Sequence, residues 1–303
     1  MSEESDMMMC CCASCGATAD DDINLKLCNG CKLVRYCGVK CQREHRLKHK
    51  EECKKRAAEL RDEILFRQPE SSHLGDCPIC FLPHPLWTID RQKSTLMTCC
   101  SKLICKGCSY ANTKRMVEGR LATTCAFCRQ PYPKSFAEEN LNKMKRAEEA
   151  NDPIAIREVG AIHHSKGDYS KAFDCWTKAA KLGDAKSHYQ LSELYTVGLG
   201  VQRNKKKDIY HLEEAAIRGH VISRFNLGAE EKKNGKIERA VKHFIIAANH
   251  GDDDAIDMLR DMYAQGLVTK GEFAAALRSH QAAVDATKSP HREEVESLLG
   301  GRI

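Results

Sequence analysis

Past Cys128 the sequence all but stops using cysteine: of 18 cysteines in 303 residues, only Cys175 lies beyond that point. The same C-terminal stretch offers no nucleophile set, no phosphate loop and no acid–base pair. No apolar run approaches the roughly 18 residues that a membrane-spanning helix needs, so no membrane contact is expected. The start, MSEESDMMMCCCASC, has an acidic lead and a short Met/Cys run. An export signal would instead place basic residues before a longer apolar stretch. The expected location is therefore intracellular, cytoplasm or nucleus. A strong charge of one sign is also missing. The formal net charge of +6 is mild for this length; it permits contact with nucleic acid without arguing for it.

What is present is a crowded N-terminal half. In a reducing compartment, clustered Cys-x-x-Cys pairs read as metal sites rather than disulfides. The chain is long enough for two or three domains and a sizeable core. Residues 1–11 are acidic and Met/Cys-rich and read as disordered. Two cysteine clusters follow, at 12–53 and 77–133. They are separated by a charged, helix-permissive linker at 54–76 that contains KKRAAELRDEILFRQ. A linker helix at 134–151, a helical repeat region at 152–288 and a tail at 289–303 complete the division.

The first cluster reads CASC, CNGC, YCGVKCQ, then His49 and Cys53. Cys-x-x-Cys lets one tight turn aim two sulfurs at one ion, and His49 and Cys53, four apart on one helix face, can share another. Eight ligands suffice for two tetrahedral zinc ions. The ordered spacing, with its YC and CQ signatures, resembles the MYND zinc finger. The resemblance implies one zinc on Cys12, Cys15, Cys37 and Cys41 and a second on Cys28, Cys31, His49 and Cys53. It also implies a short proline-containing peptide as a partner. Arg46 stands where the family commonly has tryptophan. His45 reads as a surface helix residue outside the ligand set. Cys10 and Cys11 have no partners at useful spacing. The basic run KCQREHRLKHK reads as a solvated helix face, so nucleic acid is not an expected partner.

The second cluster offers four pairs: Cys77 and Cys80, Cys99 and Cys100, Cys105 and Cys108, and Cys125 and Cys128. In a cross-brace the first and third pairs share one zinc, and the second and fourth share the other. Cys125 and Cys128 then require both adjacent thiols, because structural zinc sites are closed. His84 is the fallback ligand. The spacing resembles an all-cysteine RING finger. That resemblance implies a ubiquitin-conjugating enzyme as partner and catalysis by positioning. Ile79 would supply apolar contact, Arg129 would bridge enzyme and ubiquitin, and Pro131, with Pro133, would finish the groove. Asn112 occupies a position often held by tryptophan, and Trp87 lies in the preceding loop.

The C-terminal half repeats itself. WTKAAKLGD, LEEAAIRGH, FIIAANHGD and HQAAVDATK place Ala-Ala pairs at Ala179, Ala215, Ala247 and Ala282. Each unit reads as helix, Gly-containing turn, helix, and no unit can bury its apolar face without stacking on a neighbour. The pattern resembles Sel-1-like repeats, which implies a solenoid presenting a concave surface to a protein substrate or adaptor. Trp176, Phe244, Tyr195 and Tyr263 read as core, and Cys175 as a small packed residue. The expected architecture is mainly α: two small zinc-stabilised cross-brace modules followed by an α-solenoid. The expected cofactor is zinc, four ions. The leading functional expectation is a ubiquitin ligase; the other is a non-enzymatic zinc-finger and repeat scaffold for protein–protein interaction, with transcriptional regulation as a candidate setting.

Overall fold

Two units divide the chain, Met1–Arg67 and Gln68–Ile303. The computed structural model describes residues 11–19, 24–86 and 93–300. Residues 1–10, with Cys10, and Trp87 lie outside the described residues. No helix among the described residues is long and apolar enough to cross a membrane.

In the first unit, β1 (Lys26–Leu27) pairs antiparallel with β2 (Arg35–Tyr36), Lys26 opposite Tyr36. Helix α1 then runs Val39–Leu65 without a break. It carries His49 and Cys53 and continues into the charged stretch, where Arg56 pairs with Glu59 and Glu63. The buried core is Cys12, Leu25, Cys28, Cys31, Val34 and Tyr36. Half of that core is cysteine, so the unit has little apolar surface to bury apart from its thiols. Small domains of this kind depend on metal to fold.

The second unit begins with a segment that leads into a hairpin, β3 (Ser94–Met97) and β4 (Lys102–Cys105), with Ser94 opposite Cys105 and Met97 opposite Lys102. Helix α2 (Lys106–Glu118) follows directly, then α3 (Phe136–Glu149). The repeats are helices, each packed on the next in sequence order. They are α4 (Pro153–Ser165), α5 (Tyr169–Lys181), α6 (Ala185–Val197), α7 (Lys205–Ile217), α8 (Val221–Lys233), α9 (Ile237–Ala248), α10 (Asp253–Ala264) and α11 (Lys270–Ala286).

The joints between repeats share one chemistry. In LGD, RGH and HGD the glycine takes a left-handed backbone, with Gly219 at φ 80°. The next residue, Asp184, His220 or Asp252, caps the following helix by accepting from the N–H three residues on. Its own N–H returns to the first alanine carbonyl: Asp184 to Ala179, His220 to Ala215 and Asp252 to Ala247, at 3.1, 3.0 and 3.3 Å. This is a helix-closing motif in which only glycine avoids a Cβ penalty. The alanine pairs are buried in these three units, so adjacent helices approach closely.

Three expectations need correction. Ala282 is exposed, and the last unit buries Ala276 instead; among the described residues no further helical pair stacks on it. Tyr263 is exposed and stacks on Phe273 with ring centroids 5.3 Å apart, whereas Trp176, Tyr195 and Phe244 are buried. Residues 289–303, read as a tail, contain helix α12 (Pro290–Gly300). Proline at its first position is pre-set for a helix start, and its Arg292 and Val295 are buried. Helix α12 packs on α2, so the second cysteine module and the repeats belong to one unit.

Candidate metal centres

Four Cys-x-x-Cys turns are built alike. In each, the residue after the second cysteine has positive φ: Gly16, Lys32, Phe81 and Arg129. That residue's N–H returns to the carbonyl of the first cysteine, at 2.8 Å for Gly16 and Phe81 and 3.1 Å for Lys32 and Arg129. The left-handed residue turns the chain back, leaving both sulfurs on the inside of the turn. Backbone N–H groups also point at the sulfurs, from Leu33 to Cys31 and from Phe127 to Cys125, each at 3.4 Å. Burial pushes the Cys12 and Cys28 thiols up, but backbone N–H groups of their own turns, joined by the Cys37 N–H at Cys12 and the His49 side chain at Cys28, outweigh it and bring both down to about 6. The first cysteine of each of these two turns therefore favours thiolate, the form that binds metal. Their quartet partners are pushed up instead, Cys37 to about 12 by neighbouring thiols and Cys53 to about 11 by burial and neighbouring thiols.

The structure gathers four quartets: Cys12, Cys15, Cys37 and Cys41; Cys28, Cys31, His49 and Cys53; Cys77, Cys80, Cys105 and Cys108; and Cys99, Cys100, Cys125 and Cys128. Within each, all donor atoms lie within 4.8 Å of one another. Zinc–sulfur bonds of about 2.3 Å in a tetrahedron place neighbouring sulfurs about 3.8 Å apart. The sulfur pairs Cys15–Cys37, Cys28–Cys53, Cys80–Cys105 and Cys100–Cys125 stand at 3.6, 3.7, 3.8 and 3.9 Å. His49 turns Nε2 to Cys31 Sγ at 3.2 Å. The donor sets thus fit zinc at four sites, whose chemistry is structural: each ion would tie two distant turns together. In both modules the quartets interleave along the chain, which is the cross-brace arrangement.

The adjacent cysteines converge. The hairpin turn between β3 and β4 spans residues 98–101, with Ser101 at φ 53°. Cys99 reaches Cys128 at 3.3 Å while Cys100 faces Cys125. The turn is anchored from outside, because Arg146 of α3 donates to Ser101 Oγ at 3.0 Å and pairs with Asp152, the cap of α4, at 2.7 Å. His84, the fallback ligand, belongs to no quartet. Its Nδ1 meets Ser94 Oγ at 2.7 Å and its Nε2 meets the Leu103 carbonyl at 3.2 Å. Burial pushes its pKa down, and its two hydrogen bonds brace the hairpin. His45 also stays outside the quartets, but it is not a plain surface residue. Its ring stacks on His49 at 5.5 Å, and its Nδ1 meets the Tyr36 hydroxyl at 3.0 Å. Cys11 pairs by backbone bridge with Thr18, outside every quartet.

Ile79 and Arg129 lie on matching turns of the second module, and both are exposed, Ile79 by 38%. Pro131 is exposed and bridges Thr124. Asn112 turns inward and donates to the Thr124 carbonyl at 3.0 Å, so a polar bond stands in place of an aromatic ring. Exposed Phe81 and Phe127 add apolar surface on the same two turns. Sequence reasoning missed Arg292, Arg146 and Ser94. Each acts across a distance in the chain, and no local motif announces it.

Residues 12–53 match the family model of the MYND finger, and residues 155–184, 185–220 and 224–252 match that of the Sel1 repeat. The chain is 22% identical over 211 residues to DAP3-binding cell death enhancer 1 of Rattus norvegicus, covering 56% of this chain and 42% of that protein. It is 31% identical over 154 residues to an uncharacterized protein of Neisseria meningitidis serogroup B, covering 50% and 33%. The chain thus spans less than half the length of these relatives. Two solved structures are similar. A Sel1 repeat protein from Oxalobacter formigenes is 26% identical, with 52% and 65% of the chains covered and a TM-score of 0.42. A protective antigen of uropathogenic Escherichia coli displaying an SLR fold is 24% identical, with 49% and 34% covered and a TM-score of 0.42. The chain carries a MYND finger, Sel1 repeats of the kind that serve protein–protein interaction, and four Cys/His sites that fit zinc.

Proposed function

We propose that the second cysteine module is a RING-type finger and that the protein is a ubiquitin ligase. In this reading each quartet named above ligates one zinc with all four of its side chains. The module recruits a ubiquitin-conjugating enzyme through Ile79, Arg129 and Pro131, and the repeats hold a protein substrate or an adaptor. The first finger takes a proline-containing peptide. The observation that carries the reading is the pairing of Ile79 and Arg129 on two matching, exposed turns of one interleaved module. An apolar side chain there can dock on a partner. A cation directly after the last cysteine can restrain a second one. Catalysis would consist of holding a thioester in a reactive pose, with no covalent intermediate on the finger.

The test is discharge of a preloaded ubiquitin thioester onto free lysine, with and without the full chain, across a panel of conjugating enzymes. The chain should stimulate discharge. Ile79→Ala should weaken enzyme binding by about 2 kcal/mol. Arg129→Ala should leave binding nearly intact and slow transfer, because its contacts matter chiefly in the reacting pose. Both variants should retain all their zinc. Discharge equal to the no-protein control across the panel would leave a zinc-finger and repeat scaffold without ligase activity. Arg129→Gly separates fold from function. It should be about 1 kcal/mol more stable than Arg129→Ala, since the position is left-handed, yet equally slow in transfer.

A further inference from the structure

Arg292 lies in the first turn of α12, more than 200 residues beyond the turn it serves. It is only 6% exposed. Its Nη2 donates to Cys80 Sγ at 3.4 Å and to the Leu82 carbonyl at 3.2 Å. Its Nη1 donates to the carbonyls of Pro83 at 2.7 Å and Thr287 at 2.6 Å. The approach is close because α2 carries glycine in its first turn: a Cβ on Gly107 would come within 2.9 Å of Arg292 N and Cγ. Further along α12, Glu294 pairs with Lys114 of α2 at 3.1 Å and Glu296 with Lys93 at 3.2 Å. These two pairs are more exposed and hold the helix from its outer side.

A zinc ion on four thiolates carries two net negative charges, and in a partly buried site that charge needs a counterion and hydrogen-bond donors. A buried guanidinium needs the converse. We propose that Arg292 is the outer partner of the zinc at Cys77, Cys80, Cys105 and Cys108, so that docking of α12 and metal loading of that one site stabilise each other. The forked guanidinium spans a sulfur and three carbonyls at once, which a lysine ammonium cannot do with the same geometry. By reciprocity, whatever α12 adds to zinc affinity, zinc adds to α12 docking. The functional module would then extend from residues 77–133 to include the far end of the chain. The C-terminal helix would report whether that site is filled. This inference goes beyond the ligase reading and does not rest on it.

The test uses the full chain and four proteins: wild type, Arg292→Gln, Arg292→Lys and Glu294→Gln. Zinc release to a chromogenic chelator is followed while exposed thiols are alkylated and located by peptide mass spectrometry. Loss of an outer-shell partner typically weakens metal binding roughly 10- to 100-fold. Arg292→Gln should therefore release one zinc far sooner, with Cys77, Cys80, Cys105 and Cys108 alkylated before the other eleven cysteine ligands. Arg292→Lys should fall between. Glu294→Gln removes one exposed ion pair, which contributes little to docking, and touches no sulfur, so it should stay near wild type; the helical signal of the repeats should be unchanged in all four. In wild type, stripping this zinc should raise amide exchange across 290–300. An unchanged release order in Arg292→Gln, equal loosening of all four sites, or unchanged exchange in α12 after zinc loss would each overturn the proposal.

Discussion

The sulfur of Cys100 faces that of Cys125 at 3.9 Å. Its chain neighbour Cys99 reaches Cys128 at 3.3 Å, so two adjacent residues serve one quartet. On an extended strand neighbouring side chains point to opposite faces. Here the turn at 98–101, closed by the left-handed Ser101, swings both sulfurs to one side. Cys99→Ser and Cys100→Ser should therefore each lower the zinc content from four ions to three by elemental analysis. Each should also leave Cys125 and Cys128 open to alkylation. If either variant keeps four ions, one of the two thiols is dispensable and the shared role fails.

Chelation should divide the molecule by its cores. Structural zinc contributes on the order of 10–16 kcal/mol in small fingers. Half the buried core of the first unit is thiol, whereas the repeats are built on Trp176, Phe244, Leu191 and Leu259 and on alanine pairs. After zinc is stripped, hydrogen exchange should show lost protection across β1, β2 and the first half of α1. Protection across α5 to α10 should persist. Loss of the repeats at the same chelator concentration would mean that their fold depends on metal.

Two glycines with the same backbone sign should respond very differently to alanine. Gly219 has φ 80°, and a Cβ there would fall 2.6 Å from the Ser71 carbonyl oxygen. The Gly219 carbonyl also receives the His73 N–H at 2.9 Å, which seats the segment before the second module on the repeats. Gly235 has φ 74° with nothing within 4 Å of its Cβ position. Gly235→Ala should cost only the left-handed penalty, about 1 kcal/mol. Gly219→Ala should cost that and a backbone displacement besides, with a urea midpoint clearly lower than that of Gly235→Ala. Equal midpoints would show that the 71–73 segment is not held at Gly219.

Much of this was readable in the residues, and the reasons differ by element. Metal quartets are legible because ligand chemistry fixes spacing: a Cys-x-x-Cys turn has few ways to aim two sulfurs. The joints between repeats are legible because Gly followed by a capping residue is a local signal. What the sequence hid is contact between distant segments. Nothing in SPHREEV marks Arg292 as a partner of Cys80, since a basic residue in a short amphipathic stretch usually faces water. The boundary drawn after Cys53 likewise falls inside one continuous helix, because a finger's last helix can outrun its ligands. Tyr263 misled because aromatic residues usually mark a core, whereas the end of a stack leaves one face uncovered.

The buried histidines make the second unit acid-sensitive apart from its zinc. His243 lies fully buried in α9, and burial pushes its pKa down to about 3, with Arg224 and Arg239 opposing a further positive charge. Burial also holds His73 at about 4 and His220 well below the ordinary value, with Arg157 and Lys186 nearby and Asp184 offsetting part of their effect at His73. In the unfolded chain each histidine would titrate near 6.5. Above that value neither state is protonated and the groups contribute their full stability. As pH falls below about 6.5 the unfolded state takes up protons that the folded state refuses. Each unit then removes about 1.4 kcal/mol per fully buried histidine, until the folded value is reached. Stability of the repeats, read from the urea midpoint of the helical signal, should therefore fall steeply from about pH 6.5 toward about pH 4. Acid also releases zinc, so the decisive comparison is His243→Leu. That variant should lose stability with a pH slope smaller by about one proton over this range. An identical slope in wild type and variant would show that His243 takes no part in the acid response.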